Sequence, residues 1–181
     1  MIPLLKVDHN TGNTLTIQNQ VEVLNTTYFI RDSVAGSTTL NVTNGLPFLV
    51  GNPYVMVGAL GSDTAEIRSI SSSTTSTIVV SSATSFAHSQ SEPIQNIQYN
   101  QIVIESATSE NGSYSVLATL SIDVTNTETV YQHMAGTSTT WYKVRFLNQG
   151  STTYSDYSSP AASSSFVVNT SGYLISRLMS T

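Results

Sequence analysis

Three histidines, eleven carboxylates and six Lys or Arg residues, with no cysteine, are the groups through which this chain of 181 residues could do acid–base, metal or nucleophilic chemistry. His9, His88 and His133 show neither HxxxH nor HExxH spacing, so no zinc site is expected. The absence of Cys removes disulfides, thiolate metal sites and cysteine nucleophiles. Asp8-His9-Asn10-Thr11-Gly12-Asn13 begins like a calcium loop but lacks the bidentate Glu that closes one, and reads as an Asx-type turn. Asp63 and Glu66 lie three residues apart, whereas a glycosidase pair needs two carboxylates at a set separation, and a catalytic dyad is not expected here. Their expected places are a turn and the start of a strand. His88, in Phe86-Ala87-His88-Ser89, could orient a serine, but no GxSxG elbow accompanies it, and a hydrogen-bonding role in a loop is expected. Gly58-Ala59-Leu60-Gly61-Ser62 has no GK[ST] and leads into a strand, so it is no phosphate loop. These residues assign no catalytic group, cofactor or metal, and the chain reads as no enzyme.

The elements that would carry such residues are strands. Gln101-Ile102-Val103-Ile104-Glu105, Tyr114 to Ile122 and Tyr142-Lys143-Val144-Arg145-Phe146 alternate or run apolar over strand-length windows rich in β-branched and aromatic residues. Between the strands, Asn44-Gly45, Glu110-Asn111-Gly112, Ala135-Gly136 and Asn148-Gln149-Gly150 provide tight turns. The spacing predicts strands near 21–23, 28–31, 38–42, 54–57, 65–69 and 77–80, then 98–106, 114–122, 128–132, 140–147 and 152–155. Pro93, after a Ser-rich tract, marks a strand start or a linker. The expected fold is all-β: an N-terminal domain over 1–93, a small β-barrel or β-sandwich with an extended arm, then a β-sandwich over 94–168. A docking segment over 169–181 would follow, as a short helix or extended tail. Met1 to Thr14 and Asn169 to Thr181 hold too little apolar material to fold alone, and neighbouring chains are expected to order them.

Composition narrows the class. Charged residues are only 9% of the chain and the net charge is −5, against roughly 25% charged in an ordinary soluble domain. Ser and Thr supply about 30% of the residues, so the surface is solvated by hydroxyls and amides. Six basic residues at a pI near 4.9 make no stripe for a phosphate backbone, which excludes nucleic acid as a partner. Apolar runs of four or five residues fall far short of the roughly 20 that span a bilayer. The start, Met1 to Asp8, lacks the basic and apolar regions of a signal peptide, and synthesis in the cytoplasm is expected.

Trp141 to Gly150, followed by Ser155-Asp156-Tyr157-Ser158-Ser159-Pro160, resembles the penultimate strand and closing hairpin of a fibronectin type III domain. The resemblance implies that Tyr142, Val144 and Phe146 face the core, with Tyr142 as the corner tyrosine, while Trp141, Lys143 and Arg145 face outward. Tyr99 to Ala107 and Tyr114 to Ile122 match middle strands of such a sandwich. Earlier, Tyr28 to Asp32, Thr38 to Val42, Tyr54 to Gly58, Gly61 to Ile67 and Phe86 to Ser89 resemble small virion proteins of tailed bacteriophages. Those typically continue into a fibronectin-like module and a short C-terminal helix, and the resemblance implies that Glu66 and Arg68 partner a neighbouring strand or subunit.

That resemblance implies a non-enzymatic structural protein of the phage particle. A capsid decoration or cement role is favoured, with the major capsid protein, other virion subunits and copies of itself as partners. A head–tail connector, neck or tail component is the alternative. A carbohydrate-binding or adhesive module is a further one, with Trp141, Tyr154 and Tyr157 stacking on sugars. Candidate contact residues are Phe48, Trp141, Lys143, Arg145, Tyr173, Leu174 and Leu178. Phe48-Leu49-Val50 is either a buried plug or a contact point, and Trp141 either packs on a flanking segment or anchors a neighbour.

Overall fold

The computed structural model describes residues 1–48 and 53–162. Its strands are β1 (Leu5–Asn10), β2 (Gly12–Gln18), β3 (Val23–Tyr28), β4 (Thr39–Asn41), β5 (Tyr54–Val57), β6 (Glu66–Ser73) and β7 (Thr77–Val80). They continue as β8 (Pro93–Ile97), β9 (Gln101–Ala107), β10 (Ser115–Ser121), β11 (Glu128–His133), β12 (Trp141–Asn148), β13 (Thr153–Tyr154) and β14 (Ala161–Ala162). All pairings between them are antiparallel. The protein is all-β, as the period-two patterning predicts.

Six strands pair in the order β3-β8-β5-β6-β7-β4. Just past β3, Phe29 bridges Val42, beyond β4. Ile30 N donates to Asn41 O at 3.1 Å and Thr43 N to Tyr28 O at 3.0 Å. These contacts bring the last strand of the order back to the first and close a barrel, which leaves no open edge in this region. β6 turns the corner, pairing with β5 through Glu66–Ser69 and, across a bulge at Ile70/Ser72, with β7. The interior holds Phe29, Leu40, Val42, Val55, Val57, Ile70, Ile78, Val80 and Ile94. Phe48 ends a 3-10 turn, Leu46–Phe48, and is 1% exposed in that interior. It is therefore a plug and not a contact residue, because the barrel mouth buries more apolar area on its ring than solvent exposure would allow.

The remaining strands form two facing sheets, β1-β2-β11 and β10-β9-β12-β13, with β14 also on β12. Leu15 and Ile17 from the first sheet meet Ile102, Ile104, Tyr142, Val144 and Phe146 from the second in one core. β12 alternates half-buried and buried residues along its whole length, as its sequence requires.

The extended N-terminal arm expected from the sequence is instead the hairpin β1–β2, and β2 pairs in register with β11 more than a hundred residues later. Two residue patterns explain the difference. Leu5 and Val7 on β1 and Leu15 and Ile17 on β2 share one face and pack into the sandwich core. Gly12, at φ +78°, lets the chain reverse where a Cβ would lie 2.7 Å from His133 O. The barrel thus lies in sequence between β2 and β9, two strands of one sandwich, and the limits 1–93 and 94–168 do not follow the strand pairing.

Met56 is 1% exposed and packs in the sandwich core, although its neighbours Val55 and Val57 fill the barrel. Replacing Met56 by Ala is expected to lower unfolding free energy by about 2–5 kcal/mol in urea titration. With β1 paired on β2, Lys6 is expected to resist tryptic cleavage in the isolated protein. Rapid cutting there would restore the arm reading.

Candidate functional site: the outer face of the sandwich

Trp141, Lys143 and Arg145 occupy alternate positions on β12, opposite in direction to the buried Tyr142, Val144 and Phe146. The structure brings Lys143 and Arg145 together with three tyrosines that the sequence did not group with them in a single array. Lys143 Nζ lies 3.9 Å from the Tyr114 ring centroid and 4.8 Å from that of Tyr157. Arg145 Cζ lies 3.9 Å from the Tyr154 centroid and 4.6 Å from that of Tyr157. Tyr114, Lys143, Tyr157, Arg145 and Tyr154 thus alternate ring and cation, each contact worth about 0.5–1 kcal/mol where exposed. Glu105, from β9, lies beneath. Arg145 Nη2 and the Tyr157 hydroxyl both donate to its Oε1, at 2.9 Å each. Arg145 Nε is buried without a hydrogen-bond partner.

The array explains how a poorly formed closing strand stays in place. β13 and β14 have two residues each, and the chain between them runs outside regular pairing. Ser155 and Ser158 hold it to β12, where their Oγ atoms accept from Phe146 N at 2.8 Å and Val144 N at 3.0 Å. Tyr154 and Tyr157 then fold over the sheet onto Arg145 and Lys143. Burial, then the hydrogen bond and charge of Glu105, push the Tyr157 phenol above its ordinary range. Tyr154 and Tyr157 keep 46% and 37% exposure, so the array presents aromatic surface to solvent.

On the inner face, the Tyr142 hydroxyl accepts from Asn13 Nδ2 at 2.8 Å and lies 2.8 Å from His133 Nδ1, while Asn13 Nδ2 also donates to Thr137 O at 2.8 Å. A corner tyrosine, as the resemblance implies, would bond nearby backbone; the Tyr142 hydroxyl is instead within hydrogen-bond distance of two side chains of the opposite sheet, Asn13 and His133. Burial raises its phenol above the ordinary range.

The other sequence candidates among the described residues are accounted for within the chain. Trp141 is half-buried, between Ala107 and Ala162 on the adjacent strands. Tyr173, Leu174 and Leu178 lie outside the described residues. Asp8 to Asn13 form the β1–β2 hairpin, with His9 Nδ1 at 2.6 Å from Asn13 Oδ1. Asp63 is exposed and Glu66 buried. Glu66 and Arg68 pair with each other, and Arg68 also holds Ala83 O and Ser85 Oγ, so they do not await a neighbouring subunit. His88 is a buried hydrogen-bonder, 2.8 Å from Glu92 and 3.1 Å from Glu66. An open cleft of about 410 Å³ runs between the barrel and the sandwich, lined by Tyr54, Arg68, Asn100 and Asp123 among others. The Asp123 carboxylate accepts from Thr125 and Asn126, and these bonds hold it below the usual carboxylate range.

No protein-family model, characterised protein or solved structure matches this chain.

Replacing Arg145 by Met leaves the Glu105 carboxylate with Tyr157 alone. The expected loss is about 3 kcal/mol, the low end for a buried pair deprived of one partner, measured by urea unfolding. Tyr142→Phe strands Asn13 and His133 and is expected to cost about 1–3 kcal/mol. Because the folded state raises Tyr142 and Tyr157, their contribution is complete below about pH 10 and is lost as pH rises through the raised values. Absorbance titration of the tyrosines against thermal stability checks that order.

Proposed function

We propose that this protein is a non-enzymatic structural component of a tailed-bacteriophage particle. Its role is capsid decoration, binding the major capsid protein and neighbouring copies. The sequence resemblance supplies the class. The observation that carries the binding role is the tyrosine–cation array on the outer face of the sandwich. Aromatic and Arg side chains dominate protein contacts, and an array already held by its own internal contacts loses little side-chain entropy when a partner covers it. Two of the six basic residues of a chain with net charge −5 lie side by side there. An acidic or carbonyl-rich partner surface fits that face.

The strand order supports the fibronectin-like part of the reading. In the lettering of immunoglobulin-like sandwiches, β1, β2 and β11 take the places of A, B and E, while β9, β12 and β13 with β14 take those of C, F and G. Sugar stacking finds less support, because Lys143 and Arg145 already lie over the tyrosine rings that would receive a glycan.

Purified particles carrying Tyr154→Ser test the reading. The variant is expected to stay folded, losing no more than the about 0.5–1 kcal/mol of its contact with Arg145, and to lose about tenfold in affinity for the particle, equivalent to about 1.4 kcal/mol. A density map of the particle should place the wild-type face against shell subunits. Absence of the expressed chain from particles would overturn the class. Location at a single vertex would replace decoration with the connector role.

A further inference from the structure

The segment from Ser81 to Glu92, between β7 and β8, is fastened to the barrel by a cluster with an unusual proton requirement. The His88 side chain is 0% exposed, with Nε2 at 3.1 Å from Glu66 Oε1 and Nδ1 at 2.8 Å from Glu92 Oε2. Its ring stacks on Phe29 at 5.6 Å and 9°. An ionised carboxylate offers only acceptors, and a neutral imidazole offers one donor and one acceptor. Two carboxylates bonded to the two nitrogens of one ring therefore hold one proton more than a neutral ring between two ionised acids. With the ring as imidazolium, Glu66 and Glu92 are balanced by His88 and Arg68, the last paired to Glu66. Without that proton a ring lone pair, on a side chain shut off from solvent, faces a carboxylate, which is costly.

We propose that Glu66, His88 and Glu92 form a pH-sensitive latch that holds the apolar tip of the barrel closed and opens as pH rises. The latch acts through the backbone at His88, where His88 N donates to Ser33 O and Ser33 N to His88 O, each at 2.8 Å. Gly36 N adds a bond to Thr84 O at 2.8 Å. The segments joined in this way carry Val34, 72% exposed, and Phe86, 38% exposed. The charged and titratable groups around the ring come from three elements. Glu66 and Arg68 lie on β6, Glu92 directly precedes β8, and Asp32, in the segment after Phe29, accepts from Gln90 N at 2.7 Å. Arg31 is directed away, onto Asn41 Oδ1 at 2.9 Å. Loss of the ring proton thus leaves the Glu66 and Glu92 carboxylates facing one guanidinium, that of Arg68.

Hydrogen exchange at the His88, Ser33 and Gly36 amides, corrected for intrinsic rates and referred to β9 amides, tests the latch between about pH 5 and 8. Protection is expected to fall about tenfold or more toward the upper limit, the equivalent of one pH unit of linkage. In Glu92→Gln the amide can donate to a neutral ring, so protection should persist and lose its pH dependence. Constant wild-type protection across the range would overturn the proposal, as would unchanged pH dependence in Glu92→Gln.

Discussion

Two strands buried on both faces hold this molecule together. β5 directs Val55 and Val57 into the barrel and Met56 into the sandwich, while β8 directs Ile94 into the barrel and Ile97 into the sandwich. Each strand therefore belongs to both cores, and neither core can open without exposing apolar side chains of the other. Secondary contacts follow this arrangement. Gly61 N donates to Val124 O at 2.8 Å, and the β12–β13 turn comes so close to Pro53 that a Cβ on Gly150 would lie 2.8 Å from its ring. The hairpin β1–β2 ties the N-terminus to β11, so the barrel is flanked on both sides in sequence by strands of one sandwich.

Asparagine does in this chain what ion pairs do elsewhere. Asn19 donates to Asp123 O and Asn126 O and accepts from Thr129 Oγ1. Asn148 donates to Gln98 O and accepts from Gly150 N and Ser151 N. Asn13 and Asn96 similarly cap backbone groups across the junctions. A buried amide with all its bonds made avoids the desolvation penalty of a charge. The low charge content is thus tied to internal architecture as well as to surface. The few ions that are buried, Glu66 with Arg68 and Glu105 with Arg145, are each paired and hydrogen-bonded.

Alternation was the legible part of the sequence. It located β5 and β7 to the residue and predicted which side of β12 enters the core, because period two survives wherever one face is buried. It missed β1 and β2, whose polar positions between Leu5, Val7, Leu15 and Ile17 concealed an apolar face shared only after pairing with a distant strand. It left Phe48 open, since a plug and a contact residue look alike without the barrel around them. Lys143 and Arg145 were visible as outward-facing, but Tyr114 and Tyr157 reach them by folding across the sheet, which no local spacing encodes. Glu66, His88 and Glu92 likewise meet only once the barrel closes.

The central claim is that barrel and sandwich form one cooperative unit through the shared strands. Trp141, the only tryptophan, reports on the sandwich, and the amides of Ile78 and Val80 on β7 report on the barrel. Native-state hydrogen exchange of those amides under increasing urea, set against unfolding followed by Trp141 fluorescence, tests the claim most directly. The account predicts a single free energy and a single denaturant dependence from both probes. Exchange of the β7 amides through a lower-energy opening, while Trp141 fluorescence stays native, would contradict it.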